Sequence, residues 1–197
     1  MTRPRPQLRL VPAAPESARE PAAPSGAPSG GGASAPTDLE GAFRLYGRYV
    51  GYIALRILGR PDEVEDLVQE VFLDAHQALG TLRDPGALKG FLATLTVRKS
   101  SRALKRRKVR RFFGFDEGFD YTQIADRQAS PDERALVGEV YRLLDELPAE
   151  QRSAWVLRYV EGEKVERVAE MCGCSLATVK RRIAAAQATL SSELGDG

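Results

Sequence analysis

The chain has few of the residues that metal, disulfide or membrane chemistry requires. Among its 197 residues are only two cysteines, Cys172 and Cys174, and one histidine, His76. These side chains cannot supply the four ligands of a structural zinc site, and a Cys-x-Cys pair is poorly placed for an unstrained disulfide. No apolar run approaches the length of a membrane span, and the N-terminus lacks the apolar core of a signal peptide. We therefore expect no metal, no cofactor, no membrane insertion and a cytoplasmic location.

The sequence also lacks the patterns that indicate a catalytic site. We find no phosphate-binding glycine loop, no nucleophile with a matching base, and no pair of carboxylates that suggests general acid and base catalysis. The sequence therefore predicts a protein that is not an enzyme and that has no small-molecule substrate.

Residues 1–37 differ in composition from the rest of the chain. They contain eight of the twelve prolines, no aromatic residue, and mostly Pro, Ala, Gly and Ser. Such a segment cannot bury enough apolar surface to offset the entropy of the chain. We predict a disordered N-terminal tail.

The remainder reads as an all-α protein with two small helical domains. Apolar residues recur at helical spacing, and no segment shows the alternation of a β-strand. We predict three helices over 38–111, a flexible linker over 112–130 that is rich in Phe and acidic residues, and a second helical domain over 131–197.

A helix-turn-helix pattern lies near the C-terminus. A short amphipathic helix from Val165 is followed by Gly173 at a tight turn and by Ser175 at the N-cap of the next helix. In that second helix, four apolar residues are predicted to point inward: Leu176, Val179, Ile183 and Leu190. The opposite surface then presents four residues to the major groove of DNA: Thr178, Lys180, Arg181 and Arg182. The alternative is a helical hairpin with a solvated basic face.

Charge is divided between two neighbouring segments. Residues 98–111 contain nine basic and no acidic residues, whereas residues 61–82 contain six acidic residues and neither Lys nor Arg. A basic run of this kind suits the phosphate backbone of a nucleic acid, although it can also be a solvated helix end. The acidic segment would repel DNA, and it favours docking to a basic protein partner.

Several motifs occur in the order found in one known family. They are the heptapeptide DLVQEVF at 66–72, the basic third helix, Leu147-Pro148, LRYVEG at 157–162, and TVK at 178–180. With these motifs the chain resembles an extracytoplasmic-function (ECF) sigma factor of the sigma-70 family over about Leu39 to Leu190.

The resemblance implies a promoter-specificity subunit of RNA polymerase. Its expected partners are core RNA polymerase, promoter DNA and, as often in the family, an anti-sigma factor. Carried over to this sequence, Asp66, Gln69 and Glu70 match the polymerase-docking surface. Thr178, Lys180 and Arg182 match the helix that reads the upstream promoter element.

The third helix is expected to contact and melt the downstream element. Its predicted contacts are one aromatic residue and five basic residues: Phe91, Arg98, Lys99, Arg102, Lys105 and Arg106. A pocket for a flipped base is expected in the loop from Thr81 to Gly90, because melting requires side chains that hold unstacked bases. The linker is similar to the family segment that threads through polymerase, and a plain tether is the alternative.

Two other functions remain open at this point. One is a helix-turn-helix regulator that binds DNA without recruiting polymerase. The other is an adaptor whose basic run binds RNA or an acidic protein. Binding to core polymerase and promoter-dependent initiation distinguish a sigma factor from both.

Overall fold

The computed structural model of the chain describes residues 38–79, 87–116, 118–125 and 128–195. Within these ranges the chain is helical and contains no β-strand, which confirms the all-α prediction. The predicted disordered tail and most of the predicted base-binding loop, residues 81–86, lie outside the described residues. No helix in the described ranges is long and apolar enough to cross a membrane.

The described part of the first domain consists of three helices that pack against one another. They are α1 (Leu39–Leu58), α2 (Val64–Leu79) and α3 (Leu88–Phe112), with a 3-10 turn at Pro61–Glu63. Asp38 caps α1 by accepting a hydrogen bond from the backbone N–H of Gly41 at 2.7 Å, as expected of an acidic N-cap. Their shared apolar core contains buried residues at helical spacing: Val50, Ile53, Ile57, Leu67, Val71, Phe72, Leu88, Leu92 and Val97.

The described part of the second domain contains four helices. They are α4 (Pro131–Glu146), α5 (Ala149–Trp155), α6 (Val165–Cys172) and α7 (Leu176–Gly195), and a π-helical turn at Val156–Val160 continues α5. Ser130 and Glu133 form a reciprocal capping box at the start of α4, which satisfies two otherwise free backbone donors. Trp155 is buried and donates its indole N–H to Gln187 at 2.9 Å, which fixes α5 against α7.

Part of the stretch predicted as a flexible linker makes ordered contacts with both domains. Asp116 pairs with Arg60 at 2.9 Å, and both side chains are less than one-tenth exposed. The 3-10 turn Tyr121–Ile124 places the ring of Tyr121 in a stacked arrangement on Tyr141, with 5.8 Å between ring centroids. Asp116 and the turn at Tyr121–Ile124 thus pack against the helices, and they do not form a flexible tether.

The two domains meet at the C-terminal end of α1. The guanidinium of Arg152 donates to the backbone carbonyls of Ile57 and Leu58, both at 2.8 Å, and the Tyr141 hydroxyl donates to the carbonyl of Arg56 at 2.9 Å. The last carbonyls of a helix have no partner within the helix. Side chains of the second domain therefore supply the hydrogen-bond donors that the last carbonyls of α1 lack.

Asp145 is the centre of the polar contacts between the domains. Its carboxylate accepts hydrogen bonds from Tyr121, Arg107, Arg111 and Arg152. The side chains of Asp145, Arg107 and Arg152 are 6%, 2% and 1% exposed. Burial raises the pKa of Asp145, but the charge of Arg152 and the hydrogen bond from Tyr121 outweigh it and hold this pKa below its ordinary value. The carboxylate is thus kept charged within a buried cationic setting.

Candidate nucleic-acid and polymerase interface

The predicted helix-turn-helix is present in α6 and α7. Gly173 follows α6 with a left-handed backbone, φ +60°, and the hydroxyl of Ser175 accepts a hydrogen bond from the N–H of Thr178 at 3.2 Å. A glycine in this conformation ends a helix, and a serine at the N-cap begins the next. The turn therefore fixes the angle between the two helices through local sequence.

The four residues predicted to contact DNA from the recognition helix differ in their exposure to solvent. Lys180 and Arg181 are exposed, whereas Thr178 and Arg182 are half-buried. The hydroxyl of Thr178 lies 2.9 Å from that of Ser175, and Arg182 lies 3.5 Å from the sulfur of Cys174. Lys180 and Arg181 are thus the two cations of this helix that solvent reaches most freely.

The inward face of α7 is close to the prediction, with one correction. Val179, Ile183 and Leu190 are buried, as predicted, but Leu176 is 38% exposed. Leu176 is the first residue of the helix, where no preceding turn of α7 covers it. The core contact expected of Leu176 is therefore wrong, and Ala186 belongs to the buried face instead.

The basic run forms most of the second half of α3, and its members face different surroundings. Arg98, Arg102, Lys105 and Arg106 are exposed. Lys99 is different: its side chain is 12% exposed, and its ammonium lies 2.8 Å from Asp74 and 3.4 Å from Glu70. The ion pairs of Lys99 join α3 to α2.

The acidic segment forms the outer surface of α2. Asp66 and Gln69 are exposed, and the side chain of Glu70 is 46% exposed although it pairs with Lys99. Leu73, one turn further along, is 63% exposed. Residues three, four and seven positions apart share a face of a helix. The structure therefore brings the three predicted docking residues together beside an exposed leucine.

Comparison with known proteins places both domains in one family. Residues 42–110 match Sigma-70 region 2 and residues 138–190 match Sigma-70 region 4. The ECF RNA polymerase sigma factor SigM of Mycobacterium tuberculosis is 31% identical over 153 residues, which is 78% of this chain and 75% of SigM. The chain belongs to the ECF sigma factors.

Two further relatives agree with this assignment. The probable RNA polymerase sigma factor RfaY of Xanthomonas campestris is 32% identical over 170 residues, which cover 81% of this chain. The match spans 42% of the length of RfaY, so that protein is longer. The sigma factor RpoE of Bartonella quintana, solved in complex with the anti-sigma factor NepR, has a TM-score of 0.58 and 25% identity, covering 81% of this chain and 98% of that one.

Sigma factors are regulators of transcription rather than enzymes. Within the described residues, no group of His, Cys, Asp and Glu could hold a metal ion. Both cysteines are free, and burial raises the pKa of Cys172 to about 12. A thiol with so high a pKa is protonated at neutral pH and is a poor nucleophile.

The inward part of the sigma factor's basic run was not predicted from the sequence. Arg107 is buried, donates to Glu63 at 2.6 Å and 3.1 Å, and donates to the carbonyl of Leu58 at 3.0 Å. Its position could have indicated this, since Ser100, Leu104 and Arg107 follow one helical face and the first two are buried. Not every arginine in a basic run is therefore available to DNA.

Proposed function

We propose that this sigma factor uses three separate surfaces to bind core RNA polymerase and the two promoter elements. Asp66, Gln69 and Glu70 dock on core RNA polymerase. The exposed part of α3 contacts the downstream promoter element, and α7 reads the upstream element. The segregation of charge supports this division, because α2 presents acidic residues while the exposed sides of α3 and α7 present basic ones.

Within α7, we propose that Lys180 and Arg181 make the principal contacts with the upstream element. Both are exposed, and the N-terminal part of a recognition helix is the part that reaches base edges in the major groove. Thr178 and Arg182 lie beside them with side chains already engaged by Ser175 and Cys174. We assign these two residues to phosphate contacts and to holding the helix in place.

Within α3, Arg98, Arg102, Lys105 and Arg106 are the proposed cations of the downstream surface. Two of them contact the second domain in this structure: Lys105 pairs with Glu150, and the guanidinium of Arg98 lies against Gly173. Promoter binding through α3 requires these contacts to be exchanged for phosphates. Lys99 and half-buried Phe91 support the surface from within the first domain.

The same proposal sets the partners and the location of the protein. Its partners are core RNA polymerase and promoter DNA, and its site of action is the cytoplasm. The Bartonella quintana relative binds an anti-sigma factor. We propose that a partner of this class also binds this chain and thereby restricts its access to polymerase.

Run-off transcription tests the proposed function. Purified core polymerase is incubated with a library of promoter fragments, with and without the protein, and the start sites are mapped. We expect starts that depend on the protein and that share a two-part element. DNA binding without initiation would instead select a regulator that does not recruit polymerase, and promoter-independent, salt-sensitive affinity would select the basic adaptor.

Reversing charge on α2 should separate docking from DNA recognition. We expect Asp66→Arg with Glu70→Arg to weaken binding to core polymerase at least tenfold, because like charge then faces the basic partner surface. Lys99 keeps its pair with Asp74 in this variant. Affinity is measured by titration of labelled sigma factor with core polymerase.

The control for this experiment is Glu40→Arg, since the side chain of Glu40 is 82% exposed but lies on α1 rather than on the acidic surface of α2. We expect it to bind polymerase like the original protein. Binding of all three proteins to an isolated upstream element should be the same. A loss of upstream binding equal to the loss of polymerase binding would contradict the division of surfaces.

A further inference from the structure

Three phenylalanines stand exposed at the C-terminal end of α3. Phe112, Phe113 and Phe115 are 84%, 64% and 80% exposed. The rings of Phe112 and Phe113 meet edge to face, with 5.4 Å between their centroids. No other described part of the chain exposes several aromatic rings so fully within four consecutive positions. We name these three residues the Phe cluster.

The backbone beneath the Phe cluster is ordered. Gly114 has φ +74°, and the N–H groups of Gly114 and Phe115 donate to the carbonyls of Arg111 and Arg110 at 3.0 Å and 2.9 Å. These bonds close the end of α3 in the way that a glycine in the left-handed conformation commonly does. The rings are thus carried by a fixed helix end, although solvent surrounds them.

The Phe cluster continues the exposed basic face of α3. Arg102 precedes Lys105 and Arg106 by three and four residues, and these two precede Phe112 and Phe113 by seven, which places all five on one side of the helix. All five side chains are exposed. At a rise of about 1.5 Å per residue, the stripe from Arg102 to Phe113 is roughly 16 Å long. One end is cationic and the other aromatic.

Two described acidic residues near the Phe cluster, Asp116 and Glu63, are paired within the protein. Asp116 is engaged by Arg60, and Glu63 is engaged by Arg107 and, at 3.5 Å, by Arg110. The side chain of Arg110 is still 51% exposed. Among the described residues, the exposed charges that continue this face of α3 are therefore mainly cationic, and they favour an anionic occupant over an apolar protein surface, which would leave these charges desolvated.

We propose that the Phe cluster is a stacking platform for nucleobases of single-stranded promoter DNA, with the exposed arginines and Lys105 binding its phosphates. Aromatic side chains beside a cationic surface are the usual means of binding single strands without sequence preference. Paired bases offer no free faces to such rings, so the platform selects the unwound strand. The inference rests on the proposed function, since it assigns the strand that promoter melting releases.

Binding of single-stranded and duplex DNA by the full-length chain tests this proposal. The probes are a fluorescent oligonucleotide of about 20 nucleotides of mixed sequence and the same oligonucleotide in duplex form, followed by anisotropy; a site of this type covers about 4–16 nucleotides. We expect the protein to prefer the single strand. The triple variant F112A/F113A/F115A should lose at least tenfold in single-strand affinity and change less than twofold on the duplex.

Two matched variants interpret the result. Phe→Tyr at all three positions keeps the rings and should retain single-strand binding. Leu45→Ala removes an apolar side chain that is 60% exposed on α1 and should have no effect. The proposal is overturned if the original protein shows no preference for the single strand, or if the alanine variant loses both probes equally. It is also overturned if only the affinity for core polymerase falls, which would assign the Phe cluster to a protein contact.

The outcome can be separated from that of the proposed function. Protein-dependent initiation with unchanged single-strand binding by the alanine variant would remove the stacking platform and leave the sigma function intact. A single-strand preference that the variant abolishes, without initiation from any promoter, would keep the platform and remove the proposed function.

Discussion

Replacing Asp145 by alanine should lower the free energy of unfolding by about 3–5 kcal/mol, which is the usual cost of removing one partner from a buried group of charges. The loss leaves Arg107 and Arg152 with side chains only 2% and 1% exposed and without their shared carboxylate. It also removes the acceptor of the Tyr121 hydroxyl. Urea unfolding followed by circular dichroism measures the change.

Glu146→Ala is the matched control for Asp145→Ala. Glu146 is the next residue of α4 and also pairs with Arg111, at 3.2 Å, but its side chain is 65% exposed. An exposed pair of this kind contributes about 0–1 kcal/mol. Similar losses in the two variants would show that the buried network does not stabilise the fold.

The contribution of Asp145 should depend on pH. Its pKa is depressed in the folded protein, so its stabilising effect is present above the unfolded-state pKa, about 3.9, and is lost as pH falls through the folded value. The difference in stability between the original protein and Asp145→Asn should therefore be constant near neutral pH. It should shrink below about pH 4. A difference that persists unchanged at pH 2 would attribute the effect to shape rather than charge.

Helical periodicity and end signals were sufficient to predict most of the elements. Gly59 and Gly173 both have the left-handed conformation expected at the end of a helix, and Ser175 and Ser130 act as N-caps. These features depend on residues close together in sequence, so local patterns reveal them. The charge division between α2 and α3 is also local, and for that reason composition along the chain was enough to indicate the candidate surfaces.

The contacts between the domains could not be predicted in the same way. Arg152 reaches carbonyls of α1 that are 94 and 95 residues away in sequence. Arginines are rarely buried unless paired, so a sequence pattern assigns Arg107 and Arg152 to the surface by default. Only the three-dimensional arrangement shows that the end of α1, a carboxylate of α4 and these arginines meet. The segment after α3 was likewise predicted from its composition to be flexible, because the contacts of Asp116 and Tyr121 with distant residues are not visible in the sequence.

The buried contacts also change the candidate sites, because the number of basic residues in the sequence is larger than the number that the candidate DNA-binding surface exposes. Arg107 belongs to the buried network and Lys99 to an ion pair with Asp74, whereas Arg102 and Arg106 remain exposed. On α7, only Lys180 and Arg181 of the four predicted residues are exposed. When the buried and paired residues are set aside, a smaller set of exposed basic residues remains, and mutagenesis can test each of them.

The double variant Lys180→Ala with Arg181→Ala should have the largest effect on promoter recognition. A contact with a base edge contributes about 1–3 kcal/mol, so loss of both side chains should weaken upstream-element binding by at least tenfold and by more if both read bases. Neither side chain is needed for the core, since both are exposed while Val179 and Ile183 carry the packing of α7. The variant should therefore fold normally, and its affinity for the element is measured by anisotropy at several salt concentrations.

The salt series shows what kind of contact is lost. A phosphate contact weakens binding to all sequences and lowers the salt slope by about 1 per cation, whereas a base contact also relaxes specificity at its own position. Arg142→Ala is the control, because it removes an exposed cation from α4 rather than from the recognition helix. If the control weakens upstream binding as much as the double variant does, net charge rather than α7 accounts for recognition. A full effect confined to Lys180 and Arg181 would instead identify the N-terminal part of α7 as the promoter-reading surface, as its exposure indicates.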